Sequence, residues 1–344
     1  MRTLVISDLH LGNRAGNDVL RRPAPLDSLL DALDGIDRLV LLGDLAELMT
    51  RNRRRPLAAA EPVLRAIGRR VGADRELLIV PGNHDAPLIR AWARDQGRAL
   101  DIDSVVPPDA SPALARVVSW LAPARVTVRY PGVWLEDRIW ATHGHYLDTH
   151  LIPESSFGML RGDAGRGDGA RPVDYERIRR RRRPSGDSFA ARLVQRPVPA
   201  LLGGGSWVVR TKVIAAVPRF LMNARLAPLT ASLVDLQMQR AGIPALGRVV
   251  RRLGVDADWV VFGHLHRAGP LAGEPDDRWH ANGGSPRYVN AGSWLYEPLL
   301  VDRSAPPHPY WPGGAVVMEP GSEPKVVGLL NGLTVRDLGP RRPH

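Results

Sequence analysis

Five short polar signatures, each set behind a run of apolar residues, constrain this chain more than anything else in it. Asp8-Leu9-His10 follows Leu4-Val5-Ile6, Gly43-Asp44 follows Arg38-Leu39-Val40-Leu41-Leu42, and Gly82-Asn83-His84-Asp85 follows Leu77-Leu78-Ile79-Val80. His143-Gly144 comes after residues 139–142, and Gly263-His264-Leu265-His266 after Val260-Val261-Phe262. Apolar runs this short read as buried strands. Between the first three, residues 25–33 (Leu26, Leu29, Leu30, Leu33) and 56–71 have apolar positions near helical spacing. Strand–helix alternation of this kind argues an α/β core with a largely parallel sheet. Ligands in such sheets gather where strands end, so the five loops are expected to converge on one rim.

Further along, residues 124–130, 133–135 and 138–142 read as three shorter strands in antiparallel pairing. Residues 259–262 and 287–290 read as two more buried strands, and 315–318 and 326–330 as a hairpin around Pro320-Gly321.

The residue types in the signatures narrow the chemistry. The chain has no cysteine, so any metal must be held by oxygen and nitrogen. Asp, Asn and His suit manganese, iron, zinc or magnesium. In Asp8-Leu9-His10 and His264-Leu265-His266 alternate residues point the same way where the chain is extended, so each pair can clamp one ion or reach two. A carboxylate such as Asp44 can bridge two cations about 3.5–4 Å apart. Taken singly, Asp8, His10 and Asp44 could equally be polar caps on strand ends.

The ordered set resembles the calcineurin-like metallophosphoesterase superfamily over residues 1–150 and about 255–300. The resemblance implies a sandwich of two mixed β-sheets flanked by helices. It implies two divalent cations, with manganese favoured: one held by Asp8, His10, Asp44 and His266, the other by Asp44, Asn83, His143 and His264, with Asp44 bridging. His84 is expected to act as general acid or hydrogen-bond donor, Asp85 to support it, and Glu47 to orient it. The reaction implied is hydrolysis of a phosphate monoester, diester or pyrophosphate bond by metal-activated hydroxide. Asn13, Arg14 and His145 are candidate substrate contacts. In Asn290-Ala291-Gly292-Ser293-Trp294 a structural role is the better reading.

Within the superfamily there is some likeness to bacterial UDP-diacylglucosamine pyrophosphatases, which carry a helical insertion between the His-Gly motif and the last histidine pair. The chain departs from them at His84, where they commonly carry Arg. It also departs in reading His143-Gly144-His145 rather than His-Gly-Asp, and in having a longer insertion.

That insertion is marked by charge. Residues 151–254 hold 19 arginines and lysines against 7 acids, and so carry the whole positive excess of a chain whose net charge is +11. The expected organisation is a catalytic domain of residues 1–150 and 255–344 with a basic helical insertion or lid at 151–254. Leu246, Val249, Val250 and Leu253 fall at i, i+3, i+4 and i+7, with Arg248, Arg251 and Arg252 expected on the other face. The arginine run at 177–183 reads as a solvated loop or as a contact for an anionic partner. The apolar stretch 206–229 keeps an interfacial lid in view.

The expected substrate is a phosphorylated small molecule or a lipid-linked one, with an anionic membrane surface as a partner for the insertion. Nucleic acid is the less favoured partner, because basic and aromatic residues do not alternate there. A nuclease, or a non-catalytic scaffold on the same fold, are the competing functions; scaffolds of this type have usually lost ligands, and here all seven and His84 are present. The N-terminus runs straight into a strand pattern with no room for a signal peptide, and no stretch is long and apolar enough to span a bilayer. A cytoplasmic protein is expected, with peripheral membrane contact open.

Overall fold

The computed structural model describes residues 1–151, 169–181, 231–232, 234–236, 238–280 and 284–339. Gly162 and its neighbours up to residue 168, Arg182 and Arg183, Gly203-Gly204-Gly205 and the apolar stretch 206–229 lie outside those residues.

The first three apolar runs form β1 (Thr3–Ile6), β2 (Arg38–Leu41) and β3 (Glu76–Ile79), separated by α1 (Pro23–Ala32) and α2 (Arg54–Val71) and paired in parallel. Three elements follow that the residue pattern had not announced: α3 (Ala86–Gln96), the edge strand β4 (Asp103–Val106) and α4 (Pro112–Trp120). Ser111 starts α4, its Oγ accepting from Leu114 N–H at 3.1 Å, which satisfies one orphan donor of the first turn.

The three short strands expected at 124–142 are two. β5 (Arg125–Glu136) runs unbroken through Pro131-Gly132, and β6 (Ile139–Thr142) follows it. The reason is that β5 serves two sheets. Its first residues pair in parallel with β3, and its last pair antiparallel with β6. Pro131-Gly132 marks the change of sheet, where a polar turn had been expected.

The chain continues with α5 (Pro172–Arg181), α6 (Ile243–Arg252), β7 (Trp259–Phe262), the short β8 (Ala268–Gly269), β9 (Arg287–Ala291), β10 (Gly314–Met318) and β11 (Lys325–Gly328). The strand order is β11-β10-β1-β2-β3-β5-β6-β7-β9-β8, with β4 on the flank of β5. Strands β6, β7 and β9 are parallel, and β10–β11 is the expected antiparallel hairpin.

Period-two alternation sorts the core into layers. Leu4, Ile6, Leu39, Leu41, Leu77 and Ile79 face the helices α1 to α4 on one outer side. Their neighbours Val5, Val40, Leu42, Leu78 and Val80 face inward, against Val133, Ala141, Val261, Val289 and Val316. On the far side Trp140, Val260, Phe262 and Tyr288 pack under Leu246, Val249 and Val250 of α6. The result is the helix–sheet–sheet–helix sandwich expected from the resemblance.

α6 spends its apolar stripe on this core. Arg252, expected on its polar face, is buried too: it stands three residues after Val249 and so borders the stripe. Residues 177–181 of the arginine run lie in α5 and not in a loop, because buried Val173 and Tyr175 anchor that helix. Among the described residues no helix is long and apolar enough to cross a membrane.

Candidate metal centre

Every signature sits at the C-terminal end of its strand, after β1, β2, β3, β6 and β7. The backbone there is unusual. Asp8, His10, Asp44, His264 and His266 have φ of 57°, 44°, 53°, 68° and 56°. Arg303 is the only other non-glycine residue with positive φ among the described residues. The left-handed region costs an L-residue roughly 1–2 kcal/mol, so it persists only where surrounding contacts enforce it. Here they do: Asp8 N–H donates to Gly43 O at 3.0 Å and His10 N–H to Asp44 O at 2.8 Å. The rims of the two sheets also touch. A Cβ on Gly263 would overlap Ser7 Oγ, so only glycine lets the end of β7 approach the end of β1.

These turns aim the side chains at one another. Asp8 Oδ2 accepts from Ser7 Oγ (2.6 Å) and His264 N–H (2.8 Å), which leaves Oδ1 3.2 Å from His266 Nε2 and 3.7 Å from His10 Nε2. Asp44 Oδ1 accepts from His84 N–H at 2.8 Å, and Oδ2 stands 3.3 Å from His143 Nε2 and 3.6 Å from His10 Nε2. His10 Nε2 and His266 Nε2 are 3.2 Å apart. Asn83 Oδ1 is 3.2 Å from His143 Nε2, at the half-exposed mouth of the cluster. The groups Asp8–His10–His266, His10–Asp44–His84 and Asp44–His143–His264 each bring one ligand atom per residue within 4.8 Å of the others. All seven expected ligands therefore lie in one cluster, which His84 joins.

The residues fit divalent cations. Asp8 Oδ1 and Asp44 Oδ2 are buried with no hydrogen-bond partner. An anionic oxygen left so costs several kcal/mol, on the order of an uncompensated buried charge, unless a cation faces it. The donors are oxygen and nitrogen throughout, as such ions prefer.

Neighbouring shells fix the imidazoles. His143 Nδ1 donates to Leu42 O at 3.0 Å, which turns the Nε2 lone pair to the cluster. His264 Nε2 meets Asp148 Oδ1 at 3.0 Å. Glu47 meets two rings, His84 Nδ1 at 2.7 Å and His10 Nδ1 at 3.4 Å. Asp85, expected to support His84, does something else. Its carboxylate accepts from Leu45, Ala46 and Gly82 N–H at 3.0, 3.2 and 3.2 Å, tying the Asp44 loop to the Asn83 loop. It is fully committed to backbone, and so the contact to His84 Nδ1 falls to Glu47.

Electrostatics follow from this crowding. Burial would raise the Asp8 and Asp44 carboxyls, but the imidazoles around them, His143 foremost, hold both well below the usual carboxylate range. Burial likewise opposes charge on His143, yet Asp44 and Asp8 lift it to about 9, and Asp8 and Glu47 raise His10 well above its usual value. Glu47 falls to about 2, its burial outweighed by His10 and His84. Asp85 is pushed up to about 6 by burial and by Asp44.

The remaining candidates are placed as follows. His145 is buried, its Nε2 3.3 Å from Tyr130 Oη and its ring 5.5 Å from that of His143. Asn13 Oδ1 accepts from Ala15 N–H at 2.8 Å within its own loop, and Arg14 is exposed and donates to Thr50 Oγ1 at 3.2 Å. Asn290 Nδ2 donates to Gly263 O at 2.9 Å, bracing the loop before His264. Sequence reading passed over Ser7, Asp148, Tyr130 and Glu176. Asp148 carried no signal, since only the 3-10 turn His145–His150 brings it back to His264.

A family model described as calcineurin-like phosphoesterase matches residues 1–268. No curated protein matches the chain. One solved structure aligns over 95% of this chain and 98% of its own length at 12% identity, with a TM-score of 0.33, which is too low to carry an argument.

Proposed function

Because this chain belongs to the calcineurin-like phosphoesterase family, we propose that it hydrolyses a phosphate mono- or diester or a pyrophosphate bond at a dinuclear centre. Asp8, His10, Asp44 and His266 would hold one cation, and Asp44, Asn83, His143 and His264 the other, with manganese favoured. The observation that carries this reading is the pair of buried, unpartnered oxygens, Asp8 Oδ1 and Asp44 Oδ2, facing imidazole nitrogens 3.2–3.7 Å away.

Two divalent cations, when bound, offset charge on the phosphoryl oxygens and make water acidic enough to attack near neutral pH. The chain's own share is position and protons. His84 gives its Nδ1–H to Glu47 and turns Nε2 toward the cluster, 4.0 Å from Asp44 Oδ2. A ring protonated on both nitrogens there donates to a phosphoryl or leaving oxygen as charge develops on it. Asp148 and Leu42 O fix the rings of His264 and His143, and Asp85 keeps the two central loops in register.

The test is hydrolysis of p-nitrophenyl phosphate and bis-p-nitrophenyl phosphate with manganese, with chelator, and by Asp44→Ala. Nitrophenol release that needs manganese and vanishes in the variant is expected, and the faster ester separates monoesterase from diesterase. Undiminished turnover by Asp44→Ala overturns the reading.

A further inference from the structure

The outer ring nitrogens of the cluster face neighbouring acids or carbonyls, with His266 as the exception. Glu47 faces Nδ1 of His84 at 2.7 Å and of His10 at 3.4 Å, Leu42 O meets His143 Nδ1 at 3.0 Å, and Asp148 meets His264 Nε2 at 3.0 Å. His266 turns Nε2 to Asp8 and His10, and among the described residues its buried Nδ1 has no hydrogen-bond partner. The direction of this ring is therefore set by its backbone. That backbone stands at φ 56°, a conformation that lasts only while flanking contacts enforce it.

The contacts come from the residues on either side. Leu265 N–H donates to Gly263 O and Ala268 N–H to Pro309 O, each at 2.7 Å. The Leu265 side chain packs on the core that includes Ala231, Val234 and Met238, and a Cβ on Gly242 would stand 3.0 Å from its Cδ1. Arg267 is held more closely. Its Nε bonds Asp235, Nη1 and Nη2 reach Glu274 Oε2 and Oε1 at 3.2 and 2.7 Å, and Nη1 also donates to Ala268 O at 3.2 Å. The guanidinium lies 4.9 Å over Trp279, whose Nε1 donates to the same Glu274 at 2.9 Å, and the side chain is 2% exposed. Asp235 is fixed in turn by Gln239 Nε2 at 2.7 Å. The two histidines thus turn to the cluster, while Leu265 and Arg267 turn to residues 231–242, the stretch just before α6.

We propose that Arg267 is a positioning residue for His266, with Asp235 as its anchor, so that residues 231–242 set the angle at which that ring meets its cation. The proposal deepens the reading of the cluster as a two-cation centre and rests on it. Two parallel bonds to one carboxylate fix the plane of a guanidinium, which the single point charge of a lysine could not do. With that plane fixed by Glu274, the bond to Asp235 ties the backbone beside His266 to the 231–242 stretch.

The test is calorimetric titration of the full chain with manganese. Asp235→Asn should lower the affinity for one ion roughly 10-fold, the lower end of the cost of losing a supporting contact, and leave the other ion unchanged. Asp235→Glu should restore most of it. In a His266→Gln background Asp235→Asn should cost nothing further, because the residue it acts through is gone, whereas in a His143→Gln background it should cost the same 10-fold. A purely structural role would weaken both ions in every background. Arg267→Lys keeps the charge and loses the fork; it should show the same one-sided loss, and it decides the matter if Asp235→Asn does not fold. Wild-type affinities in both variants, equal losses for both ions, or a full further loss on top of His266→Gln overturn the proposal. A wild-type protein that binds no manganese would overturn the reading of the cluster itself, and the positioning role with it.

Discussion

His84 Nδ1 lies 2.7 Å from Glu47 Oε1, while the other oxygen of the same carboxylate reaches His10 Nδ1 at 3.4 Å. One half-buried acid thus braces both a proposed ligand and the proposed proton donor. Glu47→Gln should therefore weaken two properties together. Manganese affinity and kcat should each fall roughly 10–100-fold, the usual cost of losing such a brace. Metal titration beside steady-state kinetics checks this; a fall in kcat with untouched affinity would confine Glu47 to His84.

Cation binding should release protons. Without a cation His143 titrates near 9 and His10 well above its usual value, while Asp8 and Asp44 are already ionised. Because both histidine values are raised, the rings hold their protons at neutral pH, and a cation must displace them. Affinity should climb as pH rises through about 9, where His143 gives up its proton. Calorimetry in buffers of different ionisation heat counts the protons, and a pH-independent affinity would contradict the arrangement.

Asp148 meets the centre at His264, its Oδ1 3.0 Å from His264 Nε2. Asp148→Asn keeps the shape and removes the charge that fixes the ring. It should lower occupancy of the Asp44–His143–His264 side by roughly 10-fold or more and leave the Asp8–His10–His266 side loaded. Elemental analysis at limiting manganese distinguishes this from an equal loss on both sides.

Gly82→Ala should damage the centre without altering any ligand. The new Cβ would overlap Asp44 Oδ1 and lie 2.8 Å from His143 Cδ2, so one of the two must move. Overpacking of this kind costs about 1–3 kcal/mol, and the displaced side chains are two of the proposed ligands. A lower melting temperature together with lost manganese binding is expected; wild-type values for both would show that the loop yields at no cost.

Much of this was legible in the chain because it is local. Alternating apolar residues in Leu4-Val5-Ile6 or Leu39-Val40-Leu41 specify strands with two buried faces, and polar residues at their ends specify a rim. The order of Asp8, His10, Asp44, Asn83, His143, His264 and His266 indicates a metal centre wherever that rim closes. The partners of those residues were not legible in the same way. Glu47 and Asp85 are both acids close in sequence to the ligands, and nothing in their spacing says which one turns to His84 and which to backbone.

The amino-acid sequence by itself determined most of the buried strands and the residue types offered to a metal, because periodicity and donor chemistry are properties of short segments. The tertiary structure alone decided that β5 passes through Pro131-Gly132 to join two sheets, that Asp148 returns to His264, and that Glu176 of α5 meets Tyr130 beside His145. Each of these depends on contacts between residues far apart in the chain. Their geometry is set by how the layers pack, and no local pattern encodes it.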